Sequence, residues 1–380
     1  MSQTLDVIVV GVGGMGSAVT YQLAARGLRV LALEQHDLGH GFGSSHGLTR
    51  IIRLAYFEDP SYVPLLRRAF ALWRELEKGL EEPLLHVTGG LDVGFAGSLV
   101  FEGSLRSCRE HKLSHEVLDA TALAARFPGW HPAPNAMAVY QPDAGFLTPE
   151  RCIRAYVDRA RSHGATIHIH EKVLGYTASN GRVRVRTDRA EYEAAQLVLT
   201  AGPWMADLAP SLQPLLAPER QVLGWFDIAD HARFAPTAFP VFVLEAAEGT
   251  YYGFPEYGVP GFKIGRYHHR DERIHPDTMD RAVHAADEAV LRQAVARYFP
   301  DANGAMQSSA ACIFTNTPDE HFIIDRAPDM PEVLLVSPCS GHGFKFCSVI
   351  GEICADLVQH GTTSHDIALF RLARFFRRVR

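Results

Sequence analysis

Asp6 to Gly16, DVIVVGVGGMG, runs a β-branched strand straight into glycines spaced GxGxxG. In such a turn Gly11 permits the tight reversal, Gly13 lets backbone approach a pyrophosphate, and Gly16 lets helix meet strand. The pattern Met15, Ala18, Val19, Leu23 then predicts a helix ending at Gly27, and Arg29 to Leu33 predicts the next strand. This is a βαβ unit of about thirty residues. The helix N-terminus would face phosphates with unpaired N–H groups. Glu34 closes the second strand 18 residues after Gly16, where a carboxylate holds ribose hydroxyls and disfavours a 2′-phosphate. The context predicts a dinucleotide site but does not separate NAD from FAD. A second glycine-rich helix start, Ser340-Gly341-His342-Gly343-Phe344-Lys345, tips the choice to FAD. A flavin becomes anionic on reduction and calls for its own helix N-terminus and cation.

Working outward, 380 residues with 47% apolar and 21% charged content suit about two globular domains. The net charge of −6 is scattered, so nucleic acid is not an expected partner. No stretch reaches the about 18 to 20 apolar residues of a membrane span, and the start MSQTLDVIVVG lacks a charged leader. A cytoplasmic protein with no membrane partner is expected, its six cysteines reduced because none form a CxxC pair.

A long amphipathic helix is predicted from about Pro60 (Tyr62, Leu65, Leu66, Ala69, Leu72, Trp73, Leu76), its apolar face against a sheet. Thr148-Pro149 starts another, ended by Gly164. Asn180-Gly181 predicts a hairpin, with buried strands at Leu197 to Thr200 and Val333 to Ser337. Between about 218 and 311, short aromatic-rich strands (Trp225, Phe242, Tyr252, Phe262) point to antiparallel structure. The expected fold is α/β plus α+β, a Rossmann-type FAD-binding domain (1–84, 146–217, 319–380) interleaved with a mostly antiparallel substrate domain (85–145, 218–318).

The segments DVIVVGVGGMGSA, SSHGLTRIIRLAYFEDPSYVPL, QPDAGFLTPERCIRAY, YYGFPEYG, FKIGRYHH, CIFTNTPDEHFIID and SGHGFKF span nearly the whole chain. Together they resemble the monomeric sarcosine oxidase family of FAD-dependent amine oxidases, which includes N-methyltryptophan and L-pipecolate oxidases. The resemblance implies an FAD joined through its 8α-methyl group to Cys312. A thiolate must form for that bond, so a cationic setting is expected around it. Arg53 and Lys345 resemble the pair that holds the substrate carboxylate, fork and point charge. His46, Thr49 and Arg50 take positions lining the flavin, and Ser44, Ser45 and Val173 join the implied cofactor contacts with Gly11, Gly13, Met15, Gly16, Glu34, Gly341, Gly343 and Phe344. Lys263 corresponds to the lysine that favours oxygen reduction, with a lysine reaching to solvent as the competing account. Tyr252 is kept, whereas Val243 replaces methionine and Phe314 replaces tyrosine. One extra residue after Lys263 leaves Tyr267 or His268 as the pocket residue.

The expected reaction oxidises a secondary α-amino acid, N-methyl or cyclic. A hydride equivalent passes to flavin, oxygen becomes hydrogen peroxide, and the imine hydrolyses, releasing formaldehyde from N-methyl substrates. Lys263, Arg50 and His46 form the implied catalytic set, and the small substrate and oxygen are the partners of a monomer. Rival readings are a dehydrogenase with another electron acceptor and a non-catalytic flavoprotein. No metal is expected, since the histidines (His36, His40, His46, His268, His269) follow no compact ligand pattern.

Overall fold

The expected βαβ unit forms as Leu5–Val10, Gly14–Ala25 and Val30–Leu33 in a computed structural model that describes residues 5–376. Its strands lie in an eight-stranded sheet. Glu191–Leu199 and Val30–Leu33 flank Leu5–Val10 in parallel, Met330–Ser337 continues beyond Glu191–Leu199, and Thr166–His168 closes the other side. Both faces are covered, which is why these strands read as unbroken apolar runs. Val7 and Val9 meet one core with the helices, and Ile8 and Val10 meet another with Leu197, Leu199 and Leu212. The Asn180-Gly181 hairpin joins Val173–Ser179 to Arg182–Thr187, both turn residues having positive φ (54° and 73°).

A second eight-stranded sheet runs, in order, Met306–Asn316, Ala217–Phe226, Phe262–Arg266, Gly249–Phe254, Val241–Ala246, Gly90–Phe95, Ala136–Gln141, Glu116–Asp119. All neighbours are antiparallel except Val241–Ala246 with Gly90–Phe95. The twofold alternation of strands sorts its side chains. Leu91, Phe242, Phe262 and Ile264 enter an aromatic core with helix Ala285–Tyr298. The intervening row, Asp92, Val243, Tyr252, Gly265 and Leu223, lies across the opposite face in paired register. A small sheet of Arg50–Ile52, Gly145–Leu147 and Leu85–Val87 sits at the junction, so strands on both sides of the boundaries at 84 and 145 share one sheet.

Two elements depart from expectation. The amphipathic helix, Val63–Leu76, turns its apolar face to helix Cys347–His360 rather than to a sheet. Trp73 Nε1 donates to the Lys345 carbonyl (2.8 Å) and Ser348 Oγ to that of Ala69 (3.1 Å), which fixes the contact. The glycine-rich start at 340 is not yet helix: Ser340 and Gly341 have φ of 52° and 76°, and a 3-10 turn, Phe344–Phe346, leads into Cys347–His360. Among the described residues no helix is long and apolar enough to cross a membrane.

Candidate active site

The parallel strands Leu5–Val10, Glu191–Leu199 and Met330–Ser337 end side by side at Gly11, Thr200 and Pro338, and a cleft of about 330 Å³ opens there. Ligands of open α/β sheets bind at such carboxyl ends. Glycine is required at its floor. A Cβ on Gly16 would stand 1.7 Å from the Gly11 carbonyl oxygen, and one on Gly343 would stand 1.6 Å from that of Pro338. Gly13 caps helix Gly14–Ala25 without a side-chain hydrogen bond of its own, and at this helix start, beside the cleft, Gly14 N donates a long bond to Ser45 Oγ (3.4 Å). Glu34 is buried beside it. Its Oε2 accepts from Val12 N (2.8 Å) and its Oε1 from His36 N (3.0 Å). Burial opposes its ionisation, but His40 and these amides outweigh burial and keep the carboxylate charged.

Gly11, Gly13, Met15, Glu34, Ser44, Ser45, Arg50, Val173, Phe314, Gly341, Gly343 and Phe344 all line this cleft. Ser44 Oγ and Thr315 Oγ1 are buried there without a hydrogen-bond partner among the described residues. A cradle of glycines, a glycine-capped helix end, a charged Glu34 and polar atoms awaiting partners together fit a dinucleotide. Gly16, Thr49, Cys312 and Lys345 are not among the cleft's lining residues. Cys312 precedes Ile313 and Phe314 of the lining and has polar neighbours of its own. Arg50 NH2 lies 3.5 Å from its Sγ, and the sulfur faces the Ser44 carbonyl at 3.8 Å. Burial alone would raise this thiol, yet His46 and Arg50 hold it down at about 6. The other five cysteines are all pushed upward by burial, Cys108 to about 12 and Cys339 to about 11. His46 Nε2 has no hydrogen-bond partner among the described residues.

Lys263 does not reach solvent. It is 2% exposed, and Nζ donates to Gly47 O (2.6 Å), Thr49 O (3.0 Å) and Thr49 Oγ1 (2.7 Å), 4.2 Å above the Phe254 ring. Burial, with Arg50 next, brings its pKa well below that of a free lysine.

Arg53 and Lys345 are also buried, at 4% and 5% exposure. The Arg53 guanidinium lies over Tyr56 and Phe57 (4.6 and 4.7 Å). Its NH2 donates to both Glu58 oxygens at 3.0 Å, its NH1 to the Ala55 carbonyl, and Asp92 Oδ1 stands 3.6 Å from Nε. Burial disfavours the cation, but Asp92 and Glu58 overcome that and raise its pKa. Lys345 Nζ donates to His342 O (2.7 Å), and burial with Arg53 lowers its pKa to about 7. Sequence reasoning missed both carboxylates. Glu58 lay inside a quoted segment, and Asp92 was visible as a lone acid in the apolar strand Gly90–Phe95.

Tyr252, Tyr267 and Phe314 form one aromatic group, with ring centroids 5.2 Å (Tyr252 to Tyr267), 5.7 Å (Tyr267 to Phe314) and 6.5 Å (Tyr252 to Phe314) apart. Val243 pairs with Tyr252 in the sheet, and Gly265 leaves room for the Tyr252 ring, 2.5 Å from where a Cβ would be. Of the two residues left open by the insertion, Tyr267 stands with these rings. His268 turns away at φ 50° and is bound between Glu219 (2.9 Å) and Glu320 (3.0 Å), which raise its pKa to about 10. Glu219, His268 and Asp271 bring three ligand-type atoms within 4.8 Å of one another, but both His268 nitrogens are already taken by carboxylates.

The comparisons agree with one another. The sequence profile described as FAD dependent oxidoreductase matches residues 6–357. The chain is 42% identical to monomeric sarcosine oxidase of Streptomyces avermitilis over 97% of each chain. It is 41% identical to monomeric sarcosine oxidase of a Bacillus species over 98% of each. It is 37% identical to N-methyl-L-tryptophan oxidase of Salmonella arizonae over 97% of this chain and 99% of that one. Among solved structures it resembles NikD, an unusual amino acid oxidase essential for nikkomycin biosynthesis, at a TM-score of 0.84 and 26% identity, covering 97% and 98% of the two chains. The chain is therefore an FAD-dependent oxidoreductase and belongs to the family of the monomeric sarcosine and N-methyltryptophan oxidases.

Proposed function

We propose that this enzyme oxidises secondary α-amino acids, N-methyl or cyclic, with FAD linked through Cys312, reducing oxygen to hydrogen peroxide. The observation that carries the reading is the pair of buried cations, Arg53 and Lys345. Each lies within a few residues of groups lining the cofactor cleft, Arg50 on one side and Phe344 on the other. A cation is costly to bury, and two together suit an anionic ligand. A substrate carboxylate would take Arg53 NH2 from Glu58 and share Lys345. Bound FAD supplies the two-electron acceptor and passes the electrons on to oxygen. The chain's own part is positioning and charge. Tyr252, Tyr267, Phe314 and Val243 surround the nitrogen substituent and exclude water. Arg50 and His46 favour negative charge at the Cys312 end, and Lys263 places a fixed cation for oxygen reduction. The imine then hydrolyses, to the primary amino acid and formaldehyde where the substituent was methyl. His268, held by its two carboxylates, is left out of the pocket. The domains of this reading are cofactor segments 1–84, 146–217 and 319–380 and substrate segments 85–145 and 218–318. It has the enzyme acting as a cytoplasmic monomer, which six free cysteines support.

The test is anaerobic mixing of the yellow holoenzyme with sarcosine, N-methyltryptophan, pipecolate and proline. Bleaching by at least one, and one peroxide per substrate on admitting air, is expected. A flavin that none of them bleaches overturns the proposal, and bleaching without peroxide moves it to a dehydrogenase.

A further inference from the structure

The charges buried around Arg53 already balance before any substrate arrives. Arg53 and Lys345 supply two positive charges, Glu58 and Asp92 two carboxylates, and these four side chains are at most 9% exposed. His342 adds no charge. Burial lowers its pKa to about 4, its Nδ1 meets Tyr56 OH at 2.6 Å, and its Nε2 bonds the Glu320 carbonyl at 2.9 Å. A carboxylate docking on the two cations would thus leave one uncompensated negative charge in a place that water does not screen.

The two resident acids are not equivalent. Glu58 is bound by both oxygens to Arg53 NH2. Among the described residues Asp92 Oδ1 has no hydrogen-bond partner, and its approach to Arg53 Nε, at 3.6 Å, is an ion pair only. Its sheet neighbours, Val243 and Val139, are apolar. The charged and titratable groups facing it are Arg53 and Glu58 from the segment after Arg50–Ile52, Lys345 from the turn Phe344–Phe346, and Ser104 and Cys108 from helix Leu99–Glu110. Ser104 Oγ is itself unpartnered, and the Cys108 thiol stays protonated.

We propose that Asp92 is the proton-holding residue of the carboxylate clamp: when an anion docks on Arg53 and Lys345, Asp92 Oδ1 takes up one proton and the buried set remains neutral. Burial pushes this carboxyl up to about 6 against the pull of Arg53, and an added anion pushes it further. The inference rests on the oxidase reading and adds a step to it. An amino acid arriving as a zwitterion carries the proton with it. One N–H bond of the ammonium breaks, one O–H bond forms on Asp92, no electron moves, and the amine is left with the free electron pair that its oxidation requires. The balance is the same whether the proton moves directly or by way of solvent.

The probe is methoxyacetate, which has the shape of sarcosine with oxygen for nitrogen and brings no proton. Binding to oxidised holoenzyme is followed by flavin absorbance from about pH 6 to 9, and by calorimetry in two buffers of different ionisation heat. For the wild type, Kd should rise at least about tenfold per pH unit at the alkaline end, with at least about one proton taken up. For Asp92→Asn, the rise in Kd should be shallower by about tenfold per pH unit and the uptake smaller by close to one proton, leaving only what Lys345 contributes. If the full slope survives in Asp92→Asn, Lys345 is its source and the proposal falls. Weakening by the same factor at every pH means that Asp92 only braces Arg53, and the proposal also falls. Should Asp92→Asn not fold, the wild type is read by infrared difference: a protonated-carboxyl band must appear on binding, and its absence overturns the assignment. Bleaching by an N-methyl amino acid, scored separately, shows whether the oxidase reading stands when this one fails. No binding of methoxyacetate at any pH overturns the clamp itself.

Discussion

Six cysteines in one chain differ in a way that only their neighbours explain. In five of them burial outweighs any nearby cation and the thiol stays protonated, whereas at Cys312 His46 and Arg50 outweigh burial and hold the pKa down at about 6. Replacing Cys312 with Ser should leave a yellow protein whose flavin appears in the supernatant after acid precipitation, where the wild-type flavin pellets with the chain. Flavin free in both cases removes the covalent link. Lys263→Met tests a different step. With its ammonium fixed on the loop at Gly47 and Thr49, its loss should slow reoxidation by oxygen about 100-fold or more, the size of a preorganised electrostatic contact. Anaerobic reduction should change by less than about tenfold, and equal slowing of both steps in stopped flow removes the assigned role. The resemblance singled out Cys312, Arg53 and Lys345 by their alignment within quoted motifs. Asp92 and Glu58 were not singled out, because what brings them to Arg53 is a meeting between the strand Gly90–Phe95, the loop after Ile52 and the turn at Lys345. Tyr267 and His268 stayed ambiguous for a narrower reason: one backbone conformation, φ 50° at His268, decides which ring enters the aromatic group.

Elements show where glycine acts through space and where through backbone. Gly16 lies at an ordinary φ, but any Cβ there meets the Gly11 carbonyl, a backbone atom that cannot swing aside. Gly16→Ala should therefore yield colourless protein, with flavin-to-protein absorbance near zero. Gly181, at φ 73° with open space around it, needs only the conformation. Gly181→Ala should cost about 1 kcal/mol in denaturant unfolding and leave flavin content unchanged. Normal flavin loading in Gly16→Ala overturns the contact argument. The same scale explains the misread helix. An apolar stripe at Leu65, Leu66, Ala69, Leu72 and Trp73 announces a buried face but carries no mark of its partner, and a helix on a helix satisfies it as well as a sheet.

At the scale of the molecule, the second sheet and helix Ala285–Tyr298 are joined by a buried ion pair as well as by an apolar core. Arg220, on Ala217–Phe226, meets Asp287, on helix Ala285–Tyr298, with NH1 and NH2 each 3.0 Å from a carboxylate oxygen. Asp287 is 0% exposed and also accepts from His284 N (2.9 Å). Burial would raise this carboxyl, but Arg220 and the His284 amide overcome it and hold the pKa well below the usual carboxylate range. A group whose folded pKa is depressed contributes stability in full above its unfolded value, near 4, and loses it as pH falls toward the folded one. Asp287→Asn leaves the buried guanidinium with only the half-exposed Glu272 carboxylate, 3.7 Å away, and should cost about 3 kcal/mol at neutral pH. The gap from wild type should then narrow below about pH 4, as the wild-type carboxylate takes up its proton. Trp225, buried on the same strand as Arg220, gives a local fluorescence signal for the transition. The double change Arg220→Met with Asp287→Leu should recover much of the loss, since apolar replacement of a buried pair is often close to neutral. A wild-type advantage that stays constant from about pH 7 to 3 would mean that packing around helix Ala285–Tyr298, and not the ion pair, ties the helix to the sheet whose other face carries Val243 and Tyr252.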